Sequence, residues 1–144
     1  MTTMTTMTEA ESLEIAAGLD NLDPAWTPAI ETIISRAGTR DAFLVAMVHQ
    51  NGDRTDDWDL ALARFMTFDP SGVPLESRKN YRALTAAMLL ALGEDRTAAV
   101  LIEGQRDHRM SGLMLNLIES GIPMAVWLGS LGDMTVEECL AYPR

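Results

Sequence analysis

The chain has 144 residues, 47% of them hydrophobic, and 21 acidic against 11 basic residues give it a formal net charge of −10. This length suits one domain that buries a core without disulfides or metals. The negative charge argues against non-specific nucleic-acid binding and against an anionic membrane surface, because both depend on cationic contacts with phosphate. We therefore expect a protein that binds neither nucleic acid directly nor a membrane.

Cysteine usage and the N-terminal residues bear on localisation. The single cysteine, Cys139, excludes an intrachain disulfide and fits a reducing cytosol. The N-terminal run MTTMTTMTEAES has neither the basic segment nor the apolar stretch of a signal peptide. We predict a cytoplasmic protein in which residues 1–7 are a disordered leader and residues 8–144 form a single helical domain.

Helix start and stop signals recur along the chain. Thr8 with Glu11 predicts a capping box for a short first helix, and Thr135 with Glu138 predicts another for the last helix. Between them, Thr27 followed by a proline predicts a helix start.

The helix that starts at Thr27 is expected to end at Gly38, and Thr39 is expected to open the next one. Thr55 is placed to cap a further helix, which the run from Asp69 to Gly72 breaks. The side chains predicted to point inward from that helix are Trp58, Leu62, Phe65 and Met66.

Three helices are predicted in the stretch from Arg78 to Trp127, which we take as the centre of the fold. In the first of them apolar residues recur every three or four positions, and Gly93 follows where a helix end needs a left-handed residue. Asp95 is placed to cap the second helix, and the third helix is expected to stop at Gly121.

The third of these helices is expected to be the most buried, since Asn116 is the only polar residue between Leu113 and Ile118. A short helical turn is predicted at Pro123 to Leu128. No segment sustains the period-two alternation of a strand. The sequence therefore predicts an all-α fold, a compact bundle of seven to nine short helices.

The central helix pair resembles the tetratricopeptide pattern. Gly93 stands where that pattern closes its first helix, and Ala98 stands where a small residue lets the two helices pack closely. The Asp-Pro that usually follows the second helix is Asp107-His108 here, and only one repeat is found. The resemblance implies a tetratricopeptide-like helical hairpin and a role in protein binding.

A second resemblance covers roughly Arg40 to Leu128. It is carried by the run RDAFLVAMVHQ, the Leu-Ala-Leu-Ala run that starts at Leu60, and the Leu-Gly-Glu-Asp turn through Gly121-Ile122-Pro123. These look like the C-terminal helical part of an actinobacterial family catalogued as domain of unknown function 4192. That family has no established activity, so the resemblance implies a fold, and an actinobacterium or its phage as the source.

Motifs that carry chemistry are missing from the sequence. It has none of the glycine-rich signatures of nucleotide binding or of nucleophilic serine enzymes. The acidic residues Asp53, Asp56, Asp57 and Asp59 lack the glycine and glutamate positions of an EF-hand loop. We interpret Asp56 and Asp57 as first-turn carboxylates, which the helix dipole favours.

The histidines and the cysteine give no clear site either. His49 and His108 have no second histidine or cysteine at the spacing of zinc ligands. Acidic neighbours should raise the pKa of the Cys139 thiol and reduce its nucleophilicity. The sequence therefore predicts no enzymatic activity, no cofactor and no metal site.

Our first hypothesis is a non-enzymatic interaction module that binds a protein partner or itself through the helices between Arg78 and Gly121. Two alternatives stay open: an acidic inhibitor or decoy of a basic, nucleic-acid-binding protein, and an enzyme that uses one of the histidines. The candidate partner-binding residues are Tyr81, Arg82, Arg106, His108 and Arg109.

Overall fold

The computed structural model describes residues 8–17, 26–51 and 55–143. These residues contain no β-strand, which confirms the all-α prediction, and they form nine α-helices, a number within the predicted range. The predicted leader at residues 1–7 lies outside the described residues. The helices are α1 (Glu9–Ala17), α2 (Trp26–Ile33), α3 (Ala37–Asn51), α4 (Thr55–Met66), α5 (Leu75–Ala91), α6 (Asp95–Ile102), α7 (Arg109–Glu119), α8 (Met124–Gly132) and α9 (Val136–Ala141).

Both predicted capping boxes are present. The Glu11 N–H donates to the Thr8 hydroxyl and the Thr8 N–H donates to the Glu11 carboxylate, each at 3.1 Å. At the start of α9 the corresponding bonds between Thr135 and Glu138 are 3.1 and 2.9 Å long. Each box satisfies backbone donors that the first turn of a helix leaves unpaired.

The stops predicted after α4, α5 and α7 are also present. Gly93 and Gly121 follow α5 and α7 with φ angles of 82° and 68°, a left-handed conformation that suits glycine. The break after α4 is a 3₁₀ turn at Pro70–Gly72, capped by the Asp69 carboxylate. One cap differs from the prediction: the N-cap of α6 is Glu94, so Asp95 is the first helical residue.

The boundary between α2 and α3 differs from the prediction. α2 ends at Ile33 and α3 begins at Ala37, so Gly38 lies inside the first turn of α3 and does not stop a helix. The Thr39 hydroxyl donates to the Ile33 carbonyl at 2.8 Å, which satisfies an acceptor at the end of α2. A Cβ on Gly38 would lie 2.6 Å from the Cys139 carbonyl oxygen, so the absence of a side chain lets α3 approach α9 closely.

α3 and α5 form the centre of the fold. Residues 42–47 of α3 and 83–88 of α5 are all buried, which requires neighbours on every side of each helix. α1, α2, α8 and α9 pack against α3, while α4, α6, α7 and α8 pack against α5. One hydrophobic cluster therefore includes residues from α1 through α9. Within the described ranges, no helix is both long and apolar enough to cross a membrane.

Two burial predictions are wrong. α7 is not the most buried of the three central helices, because α5 holds a longer run of buried residues and Leu113 on α7 is 58% exposed. Met66, predicted to point inward from α4, is 64% exposed. Each of these residues has the spacing of a core position, yet no other helix among the described residues covers it. α8 is also longer than the short turn predicted at Pro123 to Leu128.

Arg36, in the link between α2 and α3, holds the first and last helices beside α3. Its guanidinium donates to both carboxylate oxygens of Glu9, at 2.7 and 2.8 Å, and to the carbonyls of Leu140 and Tyr142, at 2.9 and 2.6 Å. These hydrogen bonds from Arg36 lower the pKa of Glu9. One side chain therefore joins α1 to the end of α9.

Candidate partner-binding groove

An open groove of about 480 Å³ lies between α4 and α6, with α5 as its floor. α4 and α6 both pack against α5, and the groove separates them. We name it the α4–α6 groove. Its apolar lining comprises Leu62, Met66, Tyr81, Leu89, Val100 and Leu101.

Tyr81 fixes the floor of the α4–α6 groove. Its ring stacks on Phe65 with centroids 6.2 Å apart and is tilted against Phe68 at 5.4 Å. Its hydroxyl donates to the Phe65 carbonyl, and burial raises the pKa of Tyr81, so the phenol is protonated at neutral pH. The floor is therefore a preformed surface, which lowers the ordering cost of binding a ligand there.

The two walls of the groove expose large apolar side chains. Met66 on α4 is 64% exposed and Val100 on α6 is 69% exposed. A single exposed apolar residue needs no explanation, but these two flank one concavity whose floor is also apolar. Such a surface is typical of a binding groove.

Arg78 and Arg82 also line the groove, from α5. They are exposed and four residues apart, which places them one helical turn apart on the same face. Neither guanidinium forms an ion pair or hydrogen bond with another described residue, whereas Arg36, Arg40 and Arg106 each pair with a carboxylate.

The structure divides the five residues predicted for partner binding. Tyr81 and Arg82 line the α4–α6 groove. Arg106, His108 and Arg109 lie instead in or beside the turn before α7. Arg106 is exposed and pairs with a carboxylate of α7 at 2.6 Å, Arg109 is exposed, and His108 is 6% exposed and so has little surface to offer a partner.

Sequence reasoning did not assign Met66, Arg78 or Val100 to the site. Met66 fits the apolar stripe of α4, so periodicity predicted a core position. Arg78 marked only the edge of the central stretch. Val100 lies between two residues of the α6 apolar face, and no local pattern shows that it borders a groove.

A buried polar cluster lies on another face of α5. We name it the Asn80 cluster, and it comprises the buried residues Arg40, Asn80, Gln105, His108 and Ser111. The Asn80 Oδ1 atom accepts from Arg40 Nη1 at 2.9 Å and from His108 Nε2 at 2.8 Å. Because an amide oxygen cannot donate, His108 carries its proton on Nε2. Its Nδ1 atom accepts from the Ser111 hydroxyl at 3.0 Å, and that hydroxyl accepts from Gln105 Nε2 at 2.8 Å.

Two further bonds attach the Asn80 cluster to the backbone. The Asn80 amide nitrogen donates to the Ile34 carbonyl at 2.8 Å, and Gln105 Nε2 also lies 2.8 Å from the Lys79 carbonyl oxygen. The cluster therefore connects the end of α2 with α3, α5 and α7. Its hydrogen bonds hold these helices in one arrangement.

The surroundings of His108 favour its neutral form. Burial lowers the pKa of His108, and the nearby Arg40 guanidinium lowers it further. The Glu76 carboxylate, 3.7 Å from Nε2, acts in the opposite direction, but its side chain is 70% exposed. A neutral ring is also what the acceptor role of Nδ1 requires.

The His108 ring lies between Ser111 and Glu76, as the histidine of a serine-hydrolase triad lies between a serine and a carboxylate. Ser111 is fully buried, however, and its hydroxyl is engaged by two neighbours, so a substrate cannot reach it in this conformation. The ring of His49 lies 3.2 Å from the Gly132 carbonyl. Neither histidine lines the α4–α6 groove.

The acidic residues near the start of α4 and the cysteine do not line the α4–α6 groove. Asp56 and Asp57 lie in the first turn of α4, while Asp53 lies outside the described residues. In the part of the chain that the structure describes, no three His, Cys, Asp or Glu residues are grouped to hold a metal ion. Cys139 is buried, and the pKa of its thiol is raised by burial first and then by Asp41 and another nearby carboxylate.

A smaller depression of about 310 Å³ lies where α5 and α7 end, and Leu90, Ile118 and Trp127 line it. Its lining has a larger polar share than the α4–α6 groove and includes Asp95. The α4–α6 groove is therefore the stronger candidate for a partner-binding site.

α5 and α6 pack as a helical hairpin with Ala98 fully buried, as expected from the tetratricopeptide pattern, but a relationship to that repeat is not confirmed. The chain matches no protein-family model, no curated protein and no solved structure. The resemblance to domain of unknown function 4192 therefore stays a prediction.

Proposed function

We propose that this protein is a non-enzymatic helical interaction module that binds a protein partner, or a second copy of itself, through the α4–α6 groove. One observation carries the proposal: Met66 and Val100 expose apolar surface on opposite walls, above a floor built on Tyr81. Covering apolar surface gains about 25 cal/mol per Å², so a matching partner surface would be favoured there.

The length of the groove supports a helix as the bound element. Its lining extends along α5 from Arg78 to Leu89. At a rise of 1.5 Å per residue this is about 16 Å, or three helical turns. A helix that lays one apolar face into such a groove contributes a side chain from each turn, at positions i, i+3 or i+4, and i+7.

The acidic-decoy alternative has weaker support. It rests on the net charge of −10, whereas the groove presents two arginines, whose positive charge is opposite to that of a nucleic-acid mimic.

The cytoplasmic location is also part of the proposal. It is supported by the single, buried Cys139 thiol, which suits a reducing compartment.

Affinity capture with two matched variants tests the proposal. Val100→Glu places a charge on the groove wall, and Val126→Glu makes the same change on α8, where Val126 is 57% exposed and does not line the groove. Both positions are exposed, so the free energy of unfolding of each variant should lie within about 0.5 kcal/mol of the wild-type value. We expect the wild type and Val126→Glu to retain the same partner from a host lysate at low and at high salt, and Val100→Glu to lose it.

Two results would contradict the proposal. One is equal retention of every partner by the Val100→Glu and Val126→Glu variants. The other is a wild-type protein that retains no partner and does not self-associate at micromolar concentration. Analytical ultracentrifugation of the wild type alone measures its oligomeric state, which distinguishes binding to a second copy from binding to a different partner.

A further inference from the structure

The cations of the α4–α6 groove, Arg78 and Arg82, differ from the three arginines that pair with described carboxylates. Arg36 and Arg40 form ion pairs with carboxylates, at 2.7 and 2.9 Å. Arg78 and Arg82 line an apolar groove without such a partner among the described residues. The chain has 21 acidic residues, but no described carboxylate pairs with these two adjacent guanidiniums. They therefore leave a local positive charge at the edge of the groove.

We infer that the groove selects an amphipathic α-helix that carries carboxylates beside its apolar stripe, one helical turn apart, opposite Arg78 and Arg82. This inference rests on the proposed function and specifies the chemistry of the partner. Arginine suits the role because its planar guanidinium binds a carboxylate through two parallel hydrogen bonds. Both cations lie on one helix face, so carboxylates spaced i and i+4 on the partner match them.

The groove and the net charge together disfavour other occupants. A nucleic acid would meet a chain of net charge −10, and it has no apolar stripe to cover Met66 and Val100. A second copy docked through the same groove would present the same arginines, and no carboxylate of the groove lining would be there to pair with them. An acidic helix from another protein satisfies both the apolar walls and the cations.

A displayed library of helical peptides tests the inference. Each peptide keeps an apolar stripe at i, i+4 and i+7, and the flanking positions vary freely. We expect the wild type to enrich peptides with Asp or Glu one turn apart beside the stripe. Binding of an enriched peptide should weaken about tenfold for Arg78→Glu/Arg82→Glu, since two ion pairs at the rim of an apolar interface turn repulsive.

A charge-matched control accompanies that variant. Arg96→Glu/Arg109→Glu makes the same change in net charge at exposed residues that do not line the groove, and its affinity should stay within about twofold of wild type. A peptide in which the selected carboxylates are replaced by lysine should bind Arg78→Glu/Arg82→Glu better than it binds the wild type.

The outcomes separate the inference from the function on which it rests. Peptides that depend on Val100 but show no excess of carboxylates, or that ignore the Arg78→Glu/Arg82→Glu change, would overturn the inference and leave the groove as a docking site. A stable wild-type dimer that Val100→Glu dissociates would also overturn it. If no selected peptide is sensitive to Val100→Glu, both the inference and the proposed function fail.

Discussion

The two faces of α5 show how differently one helix can use its polar side chains. On the inner face, Asn80 is buried and its amide group bonds to Arg40, His108 and a backbone carbonyl. On the outer face, Arg78 and Arg82 are exposed beside uncovered apolar walls. Satisfied polar groups in the interior specify the fold, whereas unsatisfied charges and uncovered apolar surface together indicate a place for a partner.

Removing the Asn80 amide from the inner face of α5 should have the largest effect on stability. Asn80→Ala leaves the buried Arg40 guanidinium, the His108 Nε2–H and the Ile34 carbonyl each short of a partner. We expect the free energy of unfolding to fall by about 3 kcal/mol, the scale for buried polar groups left unpaired. Urea denaturation followed by circular dichroism measures it.

Asn116→Ala is the matched control, because Asn116 is exposed on α7 and should change stability by less than about 0.5 kcal/mol. A loss below about 1 kcal/mol for Asn80→Ala would mean that the Asn80 cluster does not hold the helices together, and the contrast between the two faces would disappear.

A smaller effect is expected from pH. The pKa of His108 is lowered from its ordinary value of 6.5 by burial and by Arg40, with Lys79 in the same direction and Glu76 and Asp107 opposing. Between the folded and unfolded pKa values the unfolded chain binds more protons, so acidification favours unfolding. The contribution of His108 to stability is fully present above about pH 6.5 and is lost as the pH falls through the folded pKa.

We therefore expect the free energy of unfolding to be lower at pH 5.5 than at pH 7.5. His108→Asn keeps a side chain that can cap α7 but removes the titrating ring, so its stability should change less between these two pH values. A variant that follows the wild-type pH dependence would show that groups other than His108 cause it.

Local signals allowed much of this fold to be predicted from the sequence. The capping boxes at Thr8 and Thr135 and the stops at Gly93 and Gly121 depend only on neighbouring residues, so they were found. The apolar run in RDAFLVAMVHQ likewise corresponds to a helix that is buried over six consecutive residues, 42–47.

The two faces of α5 could not be predicted, because both depend on contacts between distant residues. The Asn80 cluster joins residues up to 68 positions apart, such as Arg40 and His108, and none of them has a recognisable motif. Met66 fits a core stripe, and only the packing of α4 and α6 around α5 shows that the space above it is left open. Sequence reasoning accordingly found Tyr81 and Arg82 but placed His108 with them.

Site-specific photo-crosslinking tests the central claim most directly. A photoreactive phenylalanine analogue is placed at Val100 on the groove wall, and at the exposed positions Leu113 on α7 and Val126 on α8 as controls. Because the groove is the proposed contact surface, irradiation in a host lysate should give one discrete adduct from position 100, mapped by mass spectrometry to a helical segment of the partner. Adducts from position 113 or 126 with none from position 100 would contradict the assignment of the α4–α6 groove as the binding site.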